Sequence, residues 1–205
     1  MRKFYWLFFL IPILNACTGV TLKEPGVENR PAYQQRAGLL NAVETWGLVG
    51  KISLDDGDEG GSGKLRWNVD SEQSELNFHG AMGRGAWHLQ TGPEGASLQM
   101  ADGTEQNAAN VNDLIEDNVG WPVPLDALHW WVRGLAAPGT AENEEIGPDG
   151  LLVSLNQFGW QVNFTRYRAV NGMELPVRLN ARRNDYRVKL AISRWRMELP
   201  DESAN

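Results

Sequence analysis

At 205 residues, with a formal net charge of −7 and one cysteine, the chain is sized for one domain with a sizeable core rather than two. The acidic balance argues against nucleic acid as a partner, and a lone cysteine excludes an intramolecular disulfide, so packing and backbone pairing must supply stability. The charge is uneven: residues 18–159 hold 8 basic and 21 acidic side chains, whereas residues 160–200 hold 9 basic and 3 acidic.

The first segment reads as a targeting signal rather than as part of the fold. Arg2 and Lys3 precede an apolar run from Phe4 to Leu14, the charged and apolar regions of a secretory signal. That run has 11 residues, well short of the roughly 20 that a helix needs to span a bilayer. It ends in Leu14-Asn15-Ala16-Cys17, which resembles the lipobox of Gram-negative lipoproteins. The resemblance implies that residues 1–16 are a signal peptide and that Cys17 is lipid-modified and begins the mature chain. Two or more acyl chains there would give stable anchoring. The alternative, a plain signal peptide cut near Ala16, would leave a free thiol in an oxidising compartment, which is a liability. Thr18 stands where an aspartate would favour inner-membrane retention, so by resemblance the destination is the outer membrane. Residues 18–29, with Pro25 and Gly26, read as a flexible tether, and residues 201–205 as a polar tail.

The folded region is expected over residues 30–200. Pro31 opens a stretch to Glu44 in which Tyr33, Ala37, Leu40 and Val43 fall at helical spacing. Alternation then takes over in Trp46, Leu48, Gly50, Ile52 and Leu54. Asp55 to Gly63 reads as an acidic, Gly-rich loop. Alternation resumes at Leu65, Trp67 and Val69, at Leu76 and Phe78, at Trp87 and Leu89, and at Leu98 and Met100. Turns at even spacing favour an antiparallel meander.

Between Asn110 and Leu135 the period changes. Asn110 suits a helix cap, with Val111, Leu114, Ile115 and Val119 behind it and Gly120 at its end. Trp121-Pro122-Val123-Pro124 breaks the chain, and a second helix is expected from about Leu125 to Arg133. After a loop from Ala136 to Gly150, alternation returns in Leu151 to Leu155, Trp160 to Phe164, Val177 and Leu179, and Val188 to Ile192. One wet and one apolar face per strand indicates antiparallel sheet. Its cover is either the short helices or the sheet itself, and both arrangements allow an internal cavity.

Several of these pieces resemble the outer-membrane lipoprotein receptor family LolB. They are the lipobox at Cys17, Trp46-Gly47-Leu48-Val49-Gly50-Lys51-Ile52, the Trp67 strand, Gly80-Ala81-Met82-Gly83, and Gly120-Trp121-Pro122-Val123-Pro124-Leu125 with Leu128 and Trp131. Gly134, Pro138, Gln157-Phe158-Gly159-Trp160, Leu175-Pro176 and Ile192-Ser193-Arg194-Trp195 follow in the family's order. The resemblance implies a mainly β, single-domain, incomplete (unclosed) antiparallel β-barrel with a short-helix lid over an apolar cavity. It implies acceptance of lipoproteins from the periplasmic carrier LolA and their delivery to the inner leaflet of the outer membrane.

The residues are compatible with that. Acyl chains must be shielded from water, at about 0.8 kcal/mol per methylene, and an apolar cavity does this with no cofactor. Trp46, Leu48, Ile52, Trp67, Phe78, Trp87, Trp131, Trp160 and Phe164 are the candidate lining, and each is equally readable as an ordinary core residue. Gly80 to Gly85 reads as a tight, Gly-rich turn between two strands, with Ala81, Met82 and Gly83 as the candidate membrane-insertion loop. In the family the matching turn carries a protruding apolar residue, typically leucine, that helps delivery into the membrane. Here it is Met82, which keeps size and apolarity; alternatively it folds back to plug the core. Arg166, Arg168, Arg178, Arg182, Arg183, Arg187 and Lys189 largely interleave with apolar positions, as a solvated outer face or as a steering patch for an acidic carrier rim or anionic lipid.

Enzyme readings find little. His79, His88 and His129 are scattered, and no His-Glu-x-x-His, nucleophile elbow or phosphate loop is present. Asp55, Asp56, Asp58 and Glu59 lack calcium-loop spacing and read as a solvated turn. The expected partners are therefore LolA, acylated lipoproteins and, through Cys17, outer-membrane lipid, with no nucleic acid and no metal, the chain acting as a monomer. The competing reading is a scaffold lipoprotein with a solid core.

Overall fold

The computed structural model describes residues 28–81 and 85–198. The signal segment, Cys17, most of the tether, Met82, Gly83 and the 201–205 tail lie outside the described residues.

Among the described residues, eleven strands and three helices follow one another as α1 (Arg30–Asn41), β1 (Thr45–Asp55), β2 (Gly60–Asp70), β3 (Gln73–Gly80), β4 (Trp87–Gly92), β5 (Gly95–Met100), β6 (Glu105–Ala108), α2 (Val111–Val119), α3 (Leu125–Trp131), β7 (Asn143–Ile146), β8 (Leu152–Gln157), β9 (Trp160–Val170), β10 (Met173–Arg183) and β11 (Tyr186–Met197). All strands join one sheet in the order β6-β5-β4-β3-β2-β1-β11-β10-β9-β8-β7, with every neighbouring pair antiparallel. Two meanders are thus sewn together by β1 and β11, in register from Trp46 opposite Met197 to Asp55 opposite Arg187. β6 and β7 are the sheet's two ends and do not pair with each other, so the barrel stays unclosed.

The helices begin and end where their sequences dictate. The Asn29 side chain accepts from the Ala32 N–H at 3.2 Å, and Pro31 sits in the first turn of α1, where its missing donor is harmless. Asn110 caps α2 by accepting from Asn112 and Asp113, and left-handed Gly120 ends it by donating to the Glu116 carbonyl at 3.0 Å. In both cases orphan backbone groups find partners.

Four expectations are adjusted. The first helix stops at Asn41, short of Glu44, because β1 claims the chain from Thr45. The acidic loop is only Asp56–Glu59, where the Asp56 carboxylate accepts from the Asp58 and Glu59 N–H groups at 3.0 and 2.6 Å; Gly60–Gly63 already belong to β2. The third helix ends at Trp131, and a turn through Gly134, at φ +73°, follows it. Strands β6 and β7 have no counterpart in the apolar pattern, since their sequences Glu-Gln-Asn-Ala and Asn-Glu-Glu-Ile carry almost no alternation to read.

Alternate residues of the central strands point to one side of the sheet and are buried, and the positions between them are mostly exposed. The β1–β11 ladder skips Ser193 between Gly50 and Val49. This bulge resets the phase, so that Trp195 and Met197 join Ile192 on the buried side. Gly63 lets the Phe78 ring lie across β2: a Cβ there would stand 2.5 Å from two of its ring carbons.

Candidate functional site

The buried side of the sheet is walled with aromatic rings. Trp46 on β1 lies between Trp67 on β2, at 5.4 Å between ring centroids, and Trp195 on β11, at 5.8 Å. Toward the other end, Phe78 on β3 stacks on Trp87 of β4 at 5.4 Å. From above, the helical segment supplies a second aromatic layer. His129 of α3 stands edge-on to Trp46 at 5.1 Å and to Trp67 at 6.1 Å, while Trp121, between α2 and α3, meets Phe78 at 5.1 Å and Trp87 at 5.4 Å.

Side chains fill the space between the layers. Trp46, Trp67, Trp131 and Trp160 are each no more than 2% exposed. Burial drives the His129 pKa down to about 4, helped by the Arg133 charge, so the ring is neutral at physiological pH and behaves as an aromatic wall element. The Trp67 indole donates to Ser74 Oγ at 2.6 Å and the Trp195 indole to the Pro176 carbonyl at 2.9 Å. The buried indole N–H groups of Trp87 and Trp160 have no hydrogen-bond partner among the described residues.

The cover is held unevenly. At the α1 and α3 side, two arginines donate to main-chain carbonyls. Arg36 reaches the Gly134 carbonyl at 3.0 Å, the Arg133 carbonyl at 2.6 Å and the Glu174 carbonyl of β10 at 2.7 Å. Arg133 reaches the Leu40 carbonyl at 3.1 Å and sits over the rings of Trp130 and Trp46 at 4.8 and 5.6 Å. Desolvation lowers both guanidinium pKa values, that of Arg133 to about 10 with the Arg36 charge contributing. Gln157, fully buried, accepts from the Trp131 indole and from the Ala137 N–H, both at 3.0 Å, and donates to the Ala137 carbonyl at 2.9 Å. The Tyr33 hydroxyl accepts from Ala136 N–H at 3.0 Å. The polar bonds of α2 run instead to α3: the Asn112 carboxamide donates to Asp126 at 3.0 Å and accepts from the Leu125 N–H at 2.7 Å. Trp121 meets the sheet through its ring contacts with Phe78 and Trp87.

No group of three metal-ligating side chains occurs among the described residues. The site offers apolar and aromatic contact, with the Trp87 indole as an unpartnered donor at its wall among the described residues.

Residues 44–195 match the family model described as outer membrane lipoprotein LolB. The chain belongs to the LolB family. A LolB outer-membrane lipoprotein of Pseudomonas syringae is 33% identical over 191 residues, 92% of this chain and 93% of that one. One from Pseudomonas aeruginosa is 35% identical over 188 residues, 90% and 91% of the two chains. As a LolB-family member the chain is an outer-membrane lipoprotein with a receptor role in lipoprotein transport. The fold agrees with the crystal structure of a domain assigned to outer-membrane lipoprotein sorting in Vibrio parahaemolyticus, at TM-score 0.55 and 10% identity over 84% of this chain and 93% of that one.

In this LolB-family chain, Trp46, Leu48, Ile52, Trp67, Phe78, Trp87, Trp131, Trp160 and Phe164 are all buried in one apolar core cluster. They do not form one contact group. Trp46 with Trp67 and Phe78 with Trp87 are centres of two aromatic clusters, whereas Phe164 meets Tyr167 and Trp160 lies under the Arg183 guanidinium. Ala81 is exposed at the end of β3. Trp121, His129, Trp130, Arg36 and Arg133 were not candidates. Trp121 was signalled by its place between two helix breakers and by the Gly120–Leu125 piece of the family resemblance, but neither marked it as a contact for the sheet; nothing in a sequence marks an arginine that will be buried against carbonyls.

Proposed function

We propose that this protein receives acylated lipoproteins from the carrier LolA, holds their acyl chains between the aromatic sheet face and the helical cover, and releases them into the inner leaflet of the outer membrane, to which it is itself tied through lipidated Cys17. The observation that carries the reading is the uneven cover. Its α1–α3 side is bonded to the sheet by Arg36 and, through α1, by Arg133, while at the other end the Trp121 ring lies on Phe78 and Trp87. Trp121 is only partly buried, so lifting its indole exposes less than the roughly 150–250 Å² of a fully buried ring and costs at most about 4–6 kcal/mol. An acyl chain of a dozen methylenes gains roughly 10 kcal/mol on leaving water, so it can displace Trp121 and take its place. The Trp87 indole N–H, now without a partner, then lies at the wall of the opened site. Met82, beside that end of the sheet in sequence, guides release. Transfer down an affinity gradient needs no nucleotide.

The interior filled by tryptophans also favours a second reading, a scaffold lipoprotein with a solid core. Transfer decides between them. A purified carrier loaded with an acylated lipoprotein is mixed with residues 18–205, and the complex is captured without nucleotide; this chain contains all the described strands and helices, which lie within 28–198, and so keeps the fold. Lipoprotein recovered on the protein, with Trp121→Ala changing the yield, supports the receptor mechanism. Lipoprotein that stays on a competent carrier, with no fatty-acid binding to the core, supports the scaffold.

A further inference from the structure

The outward face of the sheet carries a feature that acyl-chain handling does not use. Strand register aligns His79 on β3 with Lys64 on β2, Lys64 with Lys51 on β1, Lys51 with Ala191 on β11, Ala191 with Arg178 on β10, and Arg178 with Arg166 on β9. Four cations and an imidazole thus form a row across six strands, about 24 Å long at the usual strand spacing. All five side chains are exposed. Arg66, Lys189, Arg194 and Arg196 extend the field to either side. Among the described residues none of these cations has a carboxylate within ion-pair distance, the acids Asp55 and Glu75 being engaged with Arg187 and His88.

Like charges directly opposite each other on a sheet destabilise it, so Lys64 beside Lys51 and Arg166 beside Arg178 repel at some expense to the fold. Two open grooves lie along the row and share Lys51. One, of about 670 Å³, is bordered by Lys64, His79, Ala81 and Ser193; the other, of about 400 Å³, by Thr165, Arg178, Asn180 and Lys189. Between the cations stand Ser, Asn, Gly and Ala, with no aromatic anchor of the kind a protein interface buries at its centre. A broad, flat cationic field without a desolvated centre suits laterally mobile phosphates better than one protein surface.

We propose that this row is a docking surface for anionic phospholipid headgroups, which lays the outer face of the sheet on the membrane. The inference rests on the outer-membrane location in the reading above and is independent of the acyl-chain site. Residues 18–28 give a reach of at most about 38 Å from the anchor, so a membrane surface is always near. Each Lys or Arg close to an anionic surface contributes about 1 kcal/mol, roughly fivefold in partition.

The test is flotation of residues 18–205 with phosphatidylcholine vesicles, neutral or containing about one-third phosphatidylglycerol, from low to high salt. The protein is expected to float with the anionic vesicles, to be released by salt, and to ignore the neutral ones. Lys51→Gln/Lys64→Gln/Arg178→Gln, all at exposed positions, is expected to lose about a hundredfold in partition with unchanged near-ultraviolet circular dichroism. Equal binding to both vesicle types, or a triple variant that floats like the parent, overturns the proposal. So does a triple variant that leaves vesicle binding alone but slows handover from the carrier in a salt-dependent way, which would assign the row to an acidic protein. A chain that floats on anionic vesicles yet accepts no lipoprotein keeps this surface and loses the receptor mechanism instead.

Discussion

Replacing His129 by Phe tests the aromatic seam between sheet and cover. The folded-state pKa of His129 is about 4 against an ordinary 6.5, with burial the larger cause and the Arg133 charge the smaller. Because the folded value is depressed, the unfolded chain takes up the proton first as pH falls. The neutral ring's contribution is therefore complete above pH 6.5 and is lost on acidification toward pH 4. A shift of this size corresponds to about 3 kcal/mol, of which roughly 2–3 kcal/mol disappears between pH 7.5 and 4.5. Urea unfolding followed by tryptophan fluorescence at the two pH values measures the drop. The His129→Phe chain should lose less than the parent by that amount, and any constant effect of the larger ring cancels because each chain is compared with itself. Equal acid losses in the two chains, or an imidazole that titrates near 6.5 by NMR, would refute the buried neutral ring.

Arg36→Met removes the donor that ties the Glu174 carbonyl of β10 to the Arg133 and Gly134 carbonyls; it should lower stability by about 2–4 kcal/mol and speed hydrogen exchange in α1 before the strands. Gln157→Leu strands the Trp131 indole and both main-chain groups of Ala137 and should cost about 2–4 kcal/mol in the same unfolding measurement. Gly63→Ala places a methyl 2.4 Å from the His79 carbonyl oxygen and 2.5 Å from the Phe78 ring. It should cost about 1–3 kcal/mol and change the fluorescence of neighbouring Trp87.

Most of the sheet was legible because alternation records which side of a strand is wet. Trp46 to Leu54 and Leu65 to Val69 read directly as β1 and β2, and Asn110 and Gly120 marked α2 through the groups they must satisfy. Strands β6 and β7 were not legible, since an edge strand with little packing has no apolar phase. Trp195 stood in a piece of the family resemblance, but its inward position was hidden by the bulge at Ser193, which breaks a strict period of two. The site was legible as a set of inward residues but not as two clusters, because sequence phase gives the face and not the distance along it. The fastening of the cover was invisible: Arg36 and Arg133 look like surface cations until their carbonyl partners, nearly a hundred residues away or more, are in place.

The pairing of β1 with β11 has a consequence for biogenesis. The seam between the two meanders joins Leu48 to Trp195 and Ile52 to Leu190, so the first strand made has one neighbour missing until nearly the last residues arrive. Contacts this distant in sequence form slowly, since loop closure precedes their reward. A protein bound for the outer membrane must first be threaded through the inner one as an extended chain. A chain whose passage begins before residue 186 is made therefore completes the β1–β11 seam only on the far side.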